Sequence, residues 1–437
     1  MPALDRLRPY LTAPVNLSFA RMTLLCRDFE PALVEGEGVF TMQSEQSFEY
    51  RLTGAPLDPD HVMRMMSRAT ENRYDPMEQF RLVMWTEDGE EWAGGWTVPS
   101  VEIENGVWVF SGDCEGLTGG APTAPAPMGN SEACFLIPRN HSASAALRRI
   151  VRTETTPGHW EPWKAIDVLG TEVTFAFATE TNTLSIRAPM TPTFPAPSAE
   201  NWFGEPLRIM LGQLVYPRLV ERRFSEGRAM VWVRRSPRWT RDSAWLALWE
   251  AATSAPDGAD FFDLYRSLLT MVAQAGDWGS HTVTSYYEEV VQAMRGSRWV
   301  WALTMASSIE GLSRILVPEQ TLRADADPEG VADLLRHIDQ WEGLSRLKDR
   351  AKGAVGSADK VSVERALRDL VAAGVGTGDQ VASWKSVRNR VMHGELVSPY
   401  STQEDDRILL NLSGLLRALT REAARRALAR EGTAAPA

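Results

Sequence analysis

Val387 to Gly394 read VRNRVMHG, and they close a segment, TGDQVASWKSVRNRVMHG (377–394), that otherwise reads as an ordinary amphipathic helix. Thr377 and Gln380 have the S/T-x-x-E/Q spacing of a capping box, which sets the helix start. Gly394 follows His393, and glycine is the usual residue just past a helix end. The spacing therefore predicts a helix over roughly 378–393. At about 100° per residue, Val381, Trp384, Val387, Val391 and Met392 form one apolar stripe, with Arg388 inside it. Asn389 and His393 make an i, i+4 pair on the flank.

An arginine on a buried face is costly unless it is paired, because it cannot lose its proton. Three readings are open. Arg388 is buried against a carboxylate such as Glu310, it snorkels to the surface, or it belongs to a functional site. His393 in the last turn feels the negative end of the helix dipole. That favours imidazolium and keeps its pKa near neutrality.

Working outward, the chain has 437 residues, which is long for one core and predicts two or three domains. From about residue 241 the sequence is helical in pattern, including DFFDLYRSLLTMVAQAG, WVWALTMASSIEGLSRIL and PEGVADLLRHIDQWEGLSRLKDRA; SAWLALWEAAT (243–253) is also read as helix. The closing segment, LRALTREAARRALAREG, is a basic amphipathic helix. It either packs along Leu415, Leu416, Leu419 and Leu428 or touches phosphates.

The first half reads as β. Asn105-Gly106 lies centrally in VEIENGVWVF (101–110), a strong hairpin signal because both turn residues need positive φ. FRLVMWTEDGEEW (80–92) turns at Asp88-Gly89, SFEYRLTG (47–54) alternates Phe48, Tyr50 and Leu52, EVTFAFATETNTLSIRA (172–188) turns near 180–183, and AMVWVRRS (229–236) is a further strand. The Pro/Gly-rich stretches 116–130 and 188–202 read as exposed loops. The expected layout is α+β multidomain: a sandwich-like β-rich domain over 1–240, then an all-α bundle over 241–437. The tryptophans at 92, 96, 108, 160 and 163 read as core residues or as stacking platforms.

The N-terminus lacks a secretory h-region, no long apolar run is present, and the three cysteines form no CxxC pair. Together these predict a cytoplasmic protein away from membranes. The net charge of −11 argues against nucleic-acid binding by bulk charge, so any such function is local to one site. His61, His141, His159, His281 and His337 show no metal-ligand spacing, and no phosphate-binding glycine loop or GxSxG elbow occurs. No metal or cofactor is expected.

Arg388-Asn389-x-x-x-His393-Gly394 resembles the R-polar-x(3)-H motif of HEPN domains, small helical bundles found in prokaryotic defence and toxin systems. LTMASSIEGLSRIL, with Glu310, looks like the first conserved helix of that bundle. A β-rich domain followed by a HEPN bundle resembles the ApeA-like branch, which is associated with anti-phage abortive infection. The resemblance is clearest over roughly 298–425; over the N-terminal half it rests on domain order and β-richness only. It implies a metal-independent endoribonuclease whose site is completed by homodimerisation. Arg388 and His393 would be catalytic, Asn389 would fill the polar position, Glu310 would support, and RNA would be the substrate. The N-terminal domain would sense a phage-derived or regulatory trigger. Two other readings stand beside it: a non-catalytic HEPN dimerisation or partner-binding module, and a carbohydrate- or protein-binding receptor dominated by the β domain.

Overall fold

The computed structural model describes residues 11, 14–26, 32–72, 75–120, 128–138, 142–191, 194, 199–225, 227–236, 245–274, 280–318, 321–323, 326–392 and 400–433. The chain divides into two compact units. One comprises Met1–Trp239 and Trp249–Ser280, the other Thr240–Leu248 and His281–Ala437.

In the first unit the strands are β1 (Val15–Leu25), β2 (Ala32–Ser44), β3 (Ser47–Pro56), β4 (Phe80–Trp85), β5 (Glu91–Thr97), β6 (Ser100–Glu104), β7 (Val107–Asp113) and β8 (Gly116–Gly119). They continue with β9 (Met128–Leu136), the small hairpin β10 (Thr153–Thr156) and β11 (His159–Glu161), then β12 (Trp163–Val168), β13 (Thr171–Ala178), β14 (Thr183–Pro189), β15 (Pro217–Phe224) and β16 (Ala229–Arg234). Apart from the β10–β11 hairpin, they join in one antiparallel ladder, ordered β12-β13-β14-β9-β15-β16-β8-β5-β4-β1-β2-β3-β7-β6. The β-rich expectation holds, but the described strands make one continuous sheet where a sandwich would have two.

Helices supply much of the covering layer: α1 (Pro59–Glu71), α2 (Ser142–Ile150), α3 (Ala199–Leu211) and α4 (Ala259–Ala273). Val62, Met66 and Ala69 of α1 enter the same core as Phe40, Phe48, Leu52 and Phe80. Almost every residue of α3 is buried, including Glu200, which accepts hydrogen bonds from Arg222 and Ser131. Its polar residues Glu200, Asn201, Glu205 and Arg208 fall on one side, and all but Asn201 are buried with the rest. The sequence expectation placed α4 in the helical domain. Its contacts lie in the β unit: Phe261, Phe262 and Tyr265 pack edge-on or nearly so against Phe175 of β13, and the Tyr265 hydroxyl donates to the carbonyl of Phe203 at 3.1 Å.

The predicted hairpins form. Asn105 and Gly106 take φ of 52° and 81° between β6 and β7, and Gly89 takes 79° between β4 and β5. The reading of 116–130 as a loop is corrected in part, since Gly116–Gly119 is β8 and Met128 begins β9. A Cβ on Gly116 would meet the Val233 carbonyl at 2.5 Å, and one on Gly119 would meet the Trp92 ring at 2.8 Å. The glycines there permit a close strand approach rather than a loop. Likewise Ala199–Trp202, read as loop, opens α3. Trp92 is core, whereas Trp96 and Trp160 are exposed. The described part of SAWLALWEAAT holds no α-helix, and Ala251–Thr253 is a short 3₁₀ turn. The division between units falls inside this segment, at 248/249. The Leu248 carbonyl accepts from Arg421 in one unit, and Trp249 Nε1 donates to Asp260 in the other.

The second unit is helical: α5 (Thr282–Ala293), α6 (Arg298–Leu316), α7 (Pro328–Gln340), α8 (Ser345–Gly356), α9 (Val363–Ala372), α10 (Gly378–Met392) and α11 (Gln403–Thr433). Leu409, Leu412, Leu415, Leu416 and Leu419 of α11 are buried, and α11 packs along α6. Leu428, placed on the packed stripe by the sequence, is exposed instead; the stripe continues through Ala423, Ala424 and Ala427. Among the described residues no helix is long and apolar enough to cross a membrane.

On α11 the nearly buried Glu422 accepts from Arg425 at 2.7 Å and from Arg426 at 2.7 Å. These bonds, Arg425's first, outweigh burial and hold its carboxyl at about 2, below its ordinary 4.5. A depressed folded-state pKa stabilises fully above the unfolded value and is lost as pH falls through the folded one. Glu422→Gln is therefore expected to lower the thermal midpoint by a few degrees at pH 7. In thermal unfolding from pH 7 downward, the gap to wild type should narrow below about 4.5 and close near 2.

Candidate functional site

Helix α10 begins as its sequence predicts. The Thr377 amide donates to Gln380 Oε1 at 3.0 Å, and the Gln380 amide donates back to Thr377 Oγ1 at 3.4 Å. The stripe of Val381, Trp384 and Val387 is buried. Trp384, 1% exposed, donates its indole N–H to the Ala306 carbonyl of α6 at 3.1 Å. Two further ties fix the rotation of α10. Asn411 Nδ2 of α11 donates to Ser383 Oγ at 2.9 Å, and Arg390 reaches Glu404 at 3.1 Å and Asp405 at 3.4 Å. On the side facing α9, Lys385 pairs with Glu364 at 2.9 Å.

This anchoring decides where Arg388 points. Its side chain is 53% exposed, its guanidinium carbon stands 5.5 Å from the Trp384 ring centroid, and its Nε lies 3.8 Å from Glu310 Oε2. Of the three readings, the snorkel describes it best: the stem follows the apolar stripe and the charge reaches solvent. Glu310 is one turn along from Arg314, which binds its other carboxylate oxygen at 2.8 Å. Two guanidinium groups thus share one carboxylate, and Arg388 holds the more distant position. An exposed pair of this kind contributes at most about 1 kcal/mol, so a better anion can displace it. Lys385's hydrogen bond, with the charges of Arg368 and Arg388, holds the Glu364 carboxyl below its ordinary range. Asn389 is exposed beside Arg388. His393 lies outside the described residues.

The structure therefore brings together Glu310, Trp384 and Arg388, with Asn389 next in the chain. Chemically, the described part is an anion-receptive guanidinium backed by an aromatic ring and loosely held by a carboxylate. Arg314, Lys385 and Glu364 were missed by sequence reasoning. Arg314 carries an i, i+4 signal to Glu310 within α6. The Lys385–Glu364 pair joins different helices and leaves no periodic trace. No family model matches the chain, and no curated protein and no solved structure matches it significantly.

Proposed function

We propose that the helical unit is a metal-independent endoribonuclease of the HEPN type, acting as a cytoplasmic homodimer and serving as an anti-phage, abortive-infection effector. One observation carries this reading. Arg388, from the motif that resembles the family's, has its charge in solvent, with Glu310 3.8 Å away and Glu364 within reach of its charge. The buried, fully bonded pairing is not what is seen, and the exposed charge is open to an anion such as a phosphate.

RNA supplies its own nucleophile. The 2′-oxygen attacks the adjacent phosphorus and the bond to the 5′-oxygen breaks, leaving a 2′,3′-cyclic phosphate and a 5′-OH. A base takes the 2′-OH proton and an acid gives one to the departing 5′-oxygen. His393 from each of two protomers would fill these two roles, which is why a dimer is required. Arg388 would hold the non-bridging phosphate oxygens as their charge grows, and Asn389 would bond phosphate or orient the imidazole. Glu310 would keep Arg388 aimed before substrate arrives. The chain's acidity discourages indiscriminate RNA binding, in keeping with an activity restrained until triggered.

The test is to incubate the purified full chain, in EDTA, with an RNA and with the DNA of the same sequence. RNA cleavage to cyclic-phosphate and 5′-OH ends is expected, with the DNA intact. Cleavage of the DNA, or loss of RNA cleavage in EDTA, would overturn the reading.

A further inference from the structure

Helices α7 and α8 form a hairpin that packs chiefly on itself. No residue of either helix is buried, although each carries an apolar stripe. Val331, Leu335 and Ile338 of α7 are half-buried, as are Ala351 and Val355 of α8, and these mark the sides on which the two helices meet. Lys348 Nζ donates to the Asp339 carbonyl at 2.7 Å, and Lys352 pairs with the Asp339 carboxylate, which ties the two helices together. Four large apolar side chains stay outside this contact: Leu334 is 50% exposed, Trp341 48%, Leu344 73% and Leu347 48%.

The four share one face. At about 100° per residue, Leu334 stands roughly 65° round α7 from its contact side, and Leu347 stands roughly 60° round α8 in the same sense. Because the helices run in opposite directions, equal turns bring both side chains to the same face of the hairpin. Trp341 and Leu344 lie in the connection, where a Cβ on Gly343 would meet the Trp341 ring at 2.1 Å; glycine lets that ring lie over the turn. The two outer edges of the face differ in charge. Glu329 and Asp333 are exposed along the outer edge of α7, and Arg346 and Arg350 along that of α8. A contiguous exposed apolar face rimmed by charge marks an interaction surface.

We propose that this face binds the same face of a second copy of the chain, so that two hairpins make one four-helix bundle. The charges select both the partner and its orientation. A two-fold axis parallel to the helices lays α7 on the partner's α8, and the acidic edge of each copy then meets the basic edge of the other. A two-fold axis across the helices would stack α7 on α7 and oppose like charges. The heights agree with the first arrangement. At 1.5 Å per residue, Asp333 lies about 10 Å before the end of α7 and Arg350 about 8 Å after the start of α8, so each reaches the other across the two-fold. Two helices of about 18–20 Å side by side present a face of roughly 400 Å², or about 800 Å² for two copies before side-chain relief is counted. That is the low end for a specific interface, so a micromolar dimer is expected. The ribonuclease reading calls for a pair of protomers and assigns it no surface; this surface is argued from the hairpin alone and stands or falls without reference to RNA.

Sedimentation equilibrium of the full chain without RNA, from about 1 to about 200 μM, tests it. A reversible monomer–dimer equilibrium is expected. Leu334→Glu combined with Leu347→Glu should raise its Kd about tenfold or more, with the thermal midpoint close to wild type because both positions are exposed. Asp333→Arg and Arg350→Glu should each weaken the dimer about threefold or more, and the two together should restore it, which association by apolar surface alone would not do. The proposal is overturned by a chain still monomeric at the highest concentration, by a dimer that Leu334→Glu with Leu347→Glu leaves unchanged, or by a charge exchange that fails to restore affinity. A monomeric chain that instead sediments with phosphatidylcholine–phosphatidylserine vesicles, and loses this in Leu334→Glu with Leu347→Glu, would overturn it too.

Discussion

Arg388→Ala is expected to lower RNA cleavage by about 10²–10³-fold, the loss typical of removing one preorganised charge-stabilising donor from a transition state. Its stability should stay within about 0.5 kcal/mol of wild type, because the side chain is 53% exposed and its ion pair with Glu310 is 3.8 Å long. That combination separates a functional arginine from a structural one. Arg388→Lys keeps the charge but not the planar fork, and is expected to recover only part of the rate. His393→Ala should match or exceed the loss in Arg388→Ala. Paired measurements of cleavage rate and denaturant midpoint check all three. An Arg388→Ala protein that unfolds, or that cleaves at the wild-type rate, contradicts the role given to this residue.

Trp384→Ala is expected to have the opposite profile, a large loss of stability with activity lost as a consequence. The ring is fully enclosed between α10 and α6, and its N–H bonds the Ala306 carbonyl at 3.1 Å. Truncating a buried tryptophan costs about 3–5 kcal/mol through lost transfer free energy and the cavity left behind. That is a substantial share of the 5–15 kcal/mol typical of a folded domain. Trp384→Phe keeps most of the packing and forfeits the hydrogen bond, so its cost should be nearer about 1–2 kcal/mol. Urea unfolding of the full chain, followed by tryptophan fluorescence and far-UV circular dichroism, checks both. A Trp384→Ala chain as stable as wild type would mean that this ring does not set the position of α10.

The contrast between neighbours on one helix shows what the sequence can carry. The 3.6-residue period and the Thr377–Gln380 box located α10 almost to the residue, because both are local and repeat along the chain. The period also placed Arg388 inside the apolar stripe. It could not say that the side chain leaves the stripe over Trp384, since that depends on a ring fixed by α6. In the sheet, the turns at Asn105-Gly106 and Gly89 were legible because positive φ selects few residue types. β8 was not, since its glycines serve close packing against Trp92 and Val233, and glycine reads as loop in either case. Helix α3 was hidden by Pro206 within it and by the Pro-rich stretch that leads into it, both of which read as loop. The attachment of α4 to the β unit follows from Phe175, far back in the chain, and no local pattern announces it.

The central claim is that the 2′-hydroxyl of the substrate is the nucleophile. The most direct measurement uses an RNA whose cleavage position has been mapped, with a single 2′-deoxyribose placed on the 5′ side of that phosphate. The account predicts that this one position becomes uncleavable while the remaining sites are cut as before, with EDTA present throughout. Continued cleavage at the deoxy position would contradict it.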